Sequence, residues 1–396
     1  MREPKRRSRR RICPVLLLRE LFPVALVLAE VGTVSPGTAS TYYVRPDGSG
    51  DYPDIQSAIA TAVDGDTVCL GSGVYRGPGN VGFSYGGREI LVHSESGSPA
   101  DCVIDCEQDN TGVFFESYEG PGAILDGVTI KNGRGTQAGG IWIYHANPII
   151  RNCILEANLC VPGVGGGGVL ACGSQAWIVD CVFRNNSCEF GGGGFCSCSS
   201  GLPRIERCVF EGNTASSLFA SAGAICCQIC PVELIDCLIV GNRANYGAGA
   251  ILAAECAPTI RQCTIAANSG DPVGGVFAAV GALPFLENTI IAINEGQALF
   301  CDQADARLAC TDLWGNGGGD WIGCITEQLG LDGNIGVDPL FCSPDGGDFR
   351  LRSDSPCAAE NNDECGQIGR FGVGCTAPTM TVTTSWGRFR AGFGRR

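Results

Sequence analysis

A chain of 396 residues with 44% apolar and only 17% charged side chains has enough apolar surface for a packed body, which excludes a disordered protein. The formal net charge of −14 excludes nucleic acid and anionic membrane surfaces as main partners, because both require a basic excess. No break in composition divides the middle of the chain, so one continuous body is the reading.

In chain order, the first element is a leader over residues 1–40. Arg2, Lys5, Arg6, Arg7, Arg9, Arg10 and Arg11 precede apolar runs at Ile12 to Leu18 and Leu21 to Ala29, and Gly37, Thr38, Ala39 and Ser40 offer a small-residue cleavage site. That is the layout of a secretory signal peptide. Arg19, Glu20 and Pro23 interrupt the apolar run before it reaches the ~20 residues of a membrane span, so no transmembrane span is expected after processing. Ser8-Arg9-Arg10 also fits twin-arginine export. Without residues 1–40 the chain carries 19 basic and 38 acidic groups, net −19, and 24 cysteines. Such a cysteine load fits an oxidising, extracellular or cell-surface destination, with disulfides.

Next comes Ile55 to Val63, with Ile55, Ala58, Ile59 and Ala62 on one face. Its periodicity predicts a short amphipathic helix that caps an N-terminal opening.

A repeat then dominates. It reads Ile150-Arg-Asn-Cys153-Ile-Leu155-Glu-Ala-Asn158, with later copies centred on Cys181, Cys208, Cys237, Cys263 and Thr289 and ending at Asn186, Asn213, Asn242, Asn268 and Asn294. Successive Asn positions lie 28, 27, 29, 26 and 26 residues apart. Upstream of each copy a glycine-led segment recurs: Gly139-Gly140-Ile141, Gly167-Gly168-Val169, Gly193-Gly194-Phe195, Gly223-Ala224-Ile225, Gly249-Ala250-Ile251 and Gly274-Gly275-Val276. Gly runs, β-branched residues and a proline in most units disfavour helices. The repeat predicts an all-β fold, a right-handed parallel β-helix solenoid over residues 41–375 in which one turn of about 26 residues stacks on the next.

Equal positions in successive repeats then form columns. The Ile/Leu column, the cysteine column and the Leu/Phe/Ile column are predicted to face the interior. The Asn column is expected in a tight turn with left-handed backbone, its amides bonded from coil to coil. Charged columns alternate in sign, Lys131, Glu156, Arg184, Glu211 and Asp180, Arg207, Asp236, each opposite-charge pair contributing ~0.2–1 kcal/mol. The stretch after Asn316 is read as a Cys-rich C-terminal cap, and residues 376–396, with Arg388, Arg390, Arg395 and Arg396, as a basic tail serving sorting or attachment.

The pairing of Gly-Gly-apolar with Phe-x-x-Asn, here Gly193-Gly194-Phe195 with Phe183-Arg-Asn-Asn186 and Phe210-Glu-Gly-Asn213, resembles the repeats of polymorphic outer-membrane proteins and other pectin-lyase-like β-helix proteins. The opening Tyr42-Tyr43-Val44 through Asp51-Tyr52 and Ile55-Gln56 to Ile59, and the later Asp338-Pro339-Leu340-Phe341, are similar to bacterial members of that superfamily. The resemblance implies the fold; the superfamily contains lyases, hydrolases, esterases, adhesins and passengers, so it implies no single activity.

Sought residue by residue, catalytic motifs are sparse. The esterase-like opening continues as Gly73-Val74-Tyr75-Arg76-Gly77, without the acid that esterases of this superfamily carry, and the paired aspartate motifs of its hydrolases do not occur. A polysaccharide lyase needs a base and a cation to neutralise a uronate, for which the candidates are Asp126, Lys131, Arg134 and His145. His93 and His145 are the only histidines. Cys196-Ser-Cys198 and Cys227-Gln-Ile-Cys230 mimic zinc spacing without a second converging pair, so no metal site is assigned. Asp47, Ser49 and Asp51, or Asp332, Asn334 and Asp338, are the places for a loop-bound Ca2+, against plain Asp-Gly turns. Trp142 and Tyr144 are the candidate ligand-binding residues, amphipathic rings of the kind on which sugars stack.

The expectation is an exported surface or extracellular β-helix, an adhesive or carbohydrate-binding scaffold that requires no cofactor and has a polysaccharide or cell-surface glycan as partner. The alternatives are a lyase or glycosidase acting on acidic polysaccharide, and a structural envelope protein.

Overall fold

The computed structural model describes residues 38–217 and 221–377. The leader over 1–40 and the basic tail over 376–396 lie, but for their inner ends, outside the described residues.

The chain winds as a right-handed parallel β-helix with three sheets. Sheet 1 holds eleven strands, from Thr41–Val44 to Arg307–Ala309; sheet 2 holds ten, from Gly73–Tyr75 to Asp312–Trp314; sheet 3 is the glycine-led face, with sixteen. Every pairing in these sheets is parallel. Sheets 1 and 2 run in register from one coil to the next: Ile150 opposes Ile178, Leu155 opposes Phe183, and Glu156 opposes Arg184, whereas sheet 3 has bulges within Leu159–Gly166 and Ser269–Ala279. The three predicted interior columns are interior: Ile150, Ile178, Ile205, Cys153, Cys181, Cys208, Leu155, Phe183 and Phe210 are all buried in one core that runs the length of the coil. Phe183 and Phe210 stack face to face, ring centroids 4.4 Å apart. Burial of this order, at ~25 cal/mol per Å2 of apolar surface, is what a stack of three-residue strands has instead of long-range topology.

The cysteine column behaves as a polar ladder as well as a packing column. The Cys153 backbone N–H donates to Cys181 Sγ at 3.4 Å and that of Cys181 to Cys208 Sγ at 3.4 Å, while each thiol donates to the carbonyl two residues back. Thr289 takes over at the end of the column, its hydroxyl accepting from Cys263 N at 3.4 Å and donating to Glu287 O.

Seven asparagines, Asn158 to Asn316, form a second, fully internal ladder. From Asn186 on, each amide oxygen accepts both the backbone N–H and the Nδ2 of the Asn one coil earlier, at 2.7–3.1 Å, and the first, Asn158 Oδ1, accepts from Gly133 N. Asp320 closes it by accepting from Asn316 N and Nδ2. One expectation is corrected: the ladder asparagines are not left-handed. The residue before each is, as at Ala157 (φ 53°), Asn185 (φ 55°), Ala267 (φ 53°) and Ile293 (φ 53°). The turn has to reverse one step early so that the Asn side chain points inward, where its amide replaces the ladder bonds the corner lacks.

The N-terminal helix spans Ile55–Thr61, two residues shorter than expected. Asp54 caps it, accepting from Ser57 N at 2.8 Å, and it buries Ile55, Ala58 and Ile59; Val63 lies beyond it and is exposed. At the other end the 3-10 helix Gly323–Gln328 plugs the coil with Ile325, which is fully buried, and is tied back by Cys301–Cys324. Gln328 accepts from Leu308 N and donates to Ala306 O, satisfying the last strand of sheet 1. The Cys-rich segment beyond is not a plug. Residues 338–375 run back along the outside of sheet 2, Phe349 against Leu238 and Ala266, Leu351 and Ile368 against Ile290 and Ala292. Arg370 reaches Cys208 O at 2.8 Å. Cys310–Cys365 and Cys342–Cys375 staple this strap. Among the described residues no helix is long and apolar enough to cross a membrane.

Candidate functional site

The glycine-led strands alternate cleanly. Ile141, Val169, Phe195, Ile225, Ile251 and Val276 point into the main core, whereas Leu170, Cys196, Cys226, Leu252 and Phe277 point away from it into a second, smaller core. Small residues of the segments leading into these strands, Ala138, Ala222, Ala248 and Val273, cover that second core. An outward apolar strip on a solvated sheet thus resolves as a covered strip along most of the solenoid.

Cover ends at the N-terminal coils, and there the strip becomes aromatic. Phe114 and Trp142 are register partners on adjacent strands, their rings edge to face at 5.8 Å. Trp142 meets Tyr144, two residues on and therefore on the same face, at 6.1 Å. Tyr144 meets His145 edge to face at 4.2 Å, and His145 stacks with Tyr118 at 6.2 Å. Five rings from two coils make one continuous run. Phe114 and Trp142 are half-buried, while Tyr144 is 45% and Tyr118 80% exposed.

The backbone fixes this run. Tyr118 and His145 both sit in the left-handed region, φ 63° and 51°, at the corner between sheets 3 and 1, a conformation bulky residues hold only when their surroundings impose it. The same corner is left-handed in later coils, at Ser199, Ile229, Glu255 and Val280. Here the fully buried Glu119 carboxylate braces it, accepting from Gly87 N at 3.0 Å and Ser117 N at 2.9 Å, while the Glu119 carbonyl accepts from Asn147 N at 2.7 Å. His145 N donates to Cys172 O at 2.9 Å. In the following coil the same corner is Gly173, where a Cβ would stand 2.6 Å from His145 Nδ1; only glycine leaves room for the ring to lie against the corner. Beneath, Tyr85 packs on Phe115 at 4.4 Å and donates to Ile124 O. Burial pushes its phenol well above the usual value, so it serves as a neutral support.

The sequence-derived candidates divide. Trp142, Tyr144 and His145 are together in the ring run. Asp126 is on sheet 1, accepting from Arg151 Nε at 2.7 Å; Lys131 is on sheet 2, 3.7 Å from Asp105; Arg134 is exposed on the two-residue strand Arg134–Gly135 of sheet 3. The fold therefore distributes Asp126, Lys131 and Arg134 over three sheets. In the proposed Ca2+ loops, Asp47 accepts from Ser49 N and Oγ, closing a turn, Asp51 accepts from Tyr43 N, and Asn334 accepts from Thr311 N of the preceding segment. Among the described residues no three His, Cys, Asp or Glu side chains converge as a metal-ligand set. Phe114, Tyr118 and Glu119 escaped the sequence reading; the shift of 28 residues that pairs Phe114 with Trp142 was the available signal, but it falls in a coil before the repeat becomes regular.

Three stacked parallel sheets with in-register columns define a class, the single-chain β-solenoid. Within it, residues 80–265 and 165–313 match the family model described as the right handed beta helix region, and the chain belongs to that family. A search of curated proteins finds no match. Among solved structures the chain is similar to pectate lyase Pel9A, at 15% identity over 85% of this chain and 97% of that one, TM-score 0.46. It is also similar to the pectin methylesterase from carrot, at 13% identity over 78% and 91%, TM-score 0.35. A mannuronic acid specific polysaccharide family 6 lyase from human gut microbiota matches at 14% identity over 86% and 92%, TM-score 0.32.

Proposed function

We propose that this chain is an exported β-helix scaffold that binds a glycan on the ring run Phe114, Trp142, Tyr144, His145 and Tyr118, as an adhesin or carbohydrate-binding surface protein. One observation carries the reading: the outward strip of sheet 3 is sealed over the later coils, Phe277 included, and opens at the N-terminal coils, where Tyr144 and Tyr118 are exposed. Rings positioned by a fixed backbone lose little entropy on binding and present apolar faces with polar rims, the match for the C–H face of a pyranose. The disulfides and the basic–apolar leader support export. The scattering of Asp126, Lys131 and Arg134 favours binding over cleavage.

The test is a glycan array probed with the full chain and with Tyr118→Ala and Trp142→Ala. Tyr118 is mostly solvent-exposed, so its loss leaves the coil intact. Each variant is expected to weaken binding about tenfold, one ring contact of roughly 1.4 kcal/mol, with unchanged circular dichroism. Equal binding by all three proteins refutes the reading. New reducing or unsaturated ends in a polysaccharide panel incubated with the chain replace it with catalysis.

A further inference from the structure

Three pairs of cysteines in the described residues are direct register partners on adjacent strands of sheet 3: Cys172 with Cys198, Cys196 with Cys226, and Cys160 with Cys188. The first pair is a disulfide with Cα atoms 4.6 Å apart. Cys196 lies two residues before Cys198 and so on the same outward face, and both Cys196 and Cys226 are fully buried in the second core. Parallel strands stand ~4.8 Å apart, inside the 4.4–6.8 Å range over which two Cα atoms are bridged.

Other free cysteines of sheet 3 and of the interior column have nearer carbonyl partners. Cys153, Cys181 and Cys208 are links of the polar ladder, and Cys160 and Cys188 donate to Gln137 O at 3.4 Å and Phe190 O at 2.9 Å. The Cys196 thiol reaches a carbonyl only at the longer distance of 3.9 Å, to Ser197 O, and the residue directly opposite it on the next strand is Cys226. Two buried thiols on register-paired positions of adjacent strands in an apolar core, one of them with only a long carbonyl contact, are placed for oxidation.

We infer that Cys196 and Cys226 form a further disulfide, which continues the Cys172–Cys198 link so that three successive coils are covalently joined along the covered strip. The oxidant is a disulfide of the export compartment, such as glutathione disulfide. The two cysteine thiols lose two protons and two electrons, the Sγ–Sγ bond forms, the S–S bond of the oxidant breaks, and two glutathione thiols leave. Burial and the neighbouring sulfur push the Cys196 thiol far above its ordinary value, so exchange happens while the coil is closing, before the strip is covered. This inference does not depend on the glycan reading.

The test is a non-reducing peptide map of the full chain purified from an oxidising periplasm, with thiols blocked by N-ethylmaleimide in denaturant and linked peptides assigned by fragmentation after two different proteases. The expected result is a Cys196–Cys226 cross-link with Cys160 and Cys188 alkylated. In Cys226→Ser, Cys196 goes from background to near-complete alkylation while Cys172–Cys198 stays linked. Alkylation of both Cys196 and Cys226 in the natural chain overturns the inference, whether or not the other disulfides have formed.

Discussion

Asn213→Ala tests the physical basis of the stacking most directly. The Asn213 side chain is fully buried at the middle of the amide ladder. Its Oδ1 accepts from Asn186 N at 3.0 Å and Asn186 Nδ2 at 2.9 Å, and its Nδ2 donates to Phe183 O and Asn242 Oδ1, each at 2.9 Å. Alanine removes all four bonds and leaves the Asn186 peptide N–H with no acceptor in a dry core. The Asn186 Nδ2 keeps only its bond to Leu155 O. An orphaned buried donor costs about 1–3 kcal/mol, so two put the expected loss at about 2–6 kcal/mol. Urea unfolding followed by circular dichroism reads the loss as a lower midpoint. Hydrogen exchange reads it locally, because in a solenoid the damage is confined to neighbouring coils, and the Asn186 amide should lose its protection first. The control is Glu156→Gln, which breaks the half-exposed pair with Arg184 at 3.0 Å and should cost under ~1 kcal/mol. If Asn213→Ala proves as mild as that control, the ladder is decoration and the reasoning fails.

Two further perturbations probe the corner and the strap. A Cβ at Gly193 would press on the Gly223 and Thr214 carbonyl oxygens of the next coil, so Gly193→Ala should lower the melting temperature sharply or prevent folding, while Gly65→Ala, where a Cβ meets nothing, should express as a folded protein strained only at its own positive φ. Asp312 is buried beneath the strap, accepting from Val337 N at 3.0 Å and from Cys357 Sγ at 3.2 Å, with Asp320 and Asp338 as the nearest other charges. Burial raises its pKa to about 7, above its unfolded value, so the native state holds a proton the unfolded state releases. This favourable term is complete below about pH 4 and disappears as pH rises through 7. Asp312→Asn should therefore match the natural chain at pH 4 and melt higher at pH 8; an identical pH slope in both proteins refutes the assignment.

The parts legible in sequence are those in which a residue's neighbour is another copy of itself. Cys153 over Cys181 and Glu156 opposite Arg184 follow from a constant shift, because in a solenoid sequence period and spatial register are the same quantity. The direction of the corner was less legible. An asparagine before a strand reads as a left-handed turn residue, and only the competition for buried amide partners moves the positive φ to Ala157 or Asn185 and turns Asn158 or Asn186 inward. The strap was not legible, since Arg370 meets the Cys208 carbonyl across 162 residues and no periodicity predicts such a contact.

The same distinction explains why the candidate site lies where it does. Regular coils offer every outward position the same neighbours above and below, so an aliphatic side chain there is covered by the equivalent small residue of the next entry segment, Ala222 or Ala248. Phe114 and Tyr118 belong to a coil that precedes the regular repeat, and Trp142 and Tyr144 to the first that enters it. In a regular coil even the Phe277 ring is covered; in these irregular coils the rings lie open to solvent, and Glu119 and Gly173 are the irregular residues that hold them there. Departure from the repeat is thus where this fold has room for a ligand, and it is the feature that self-alignment of the chain discards first.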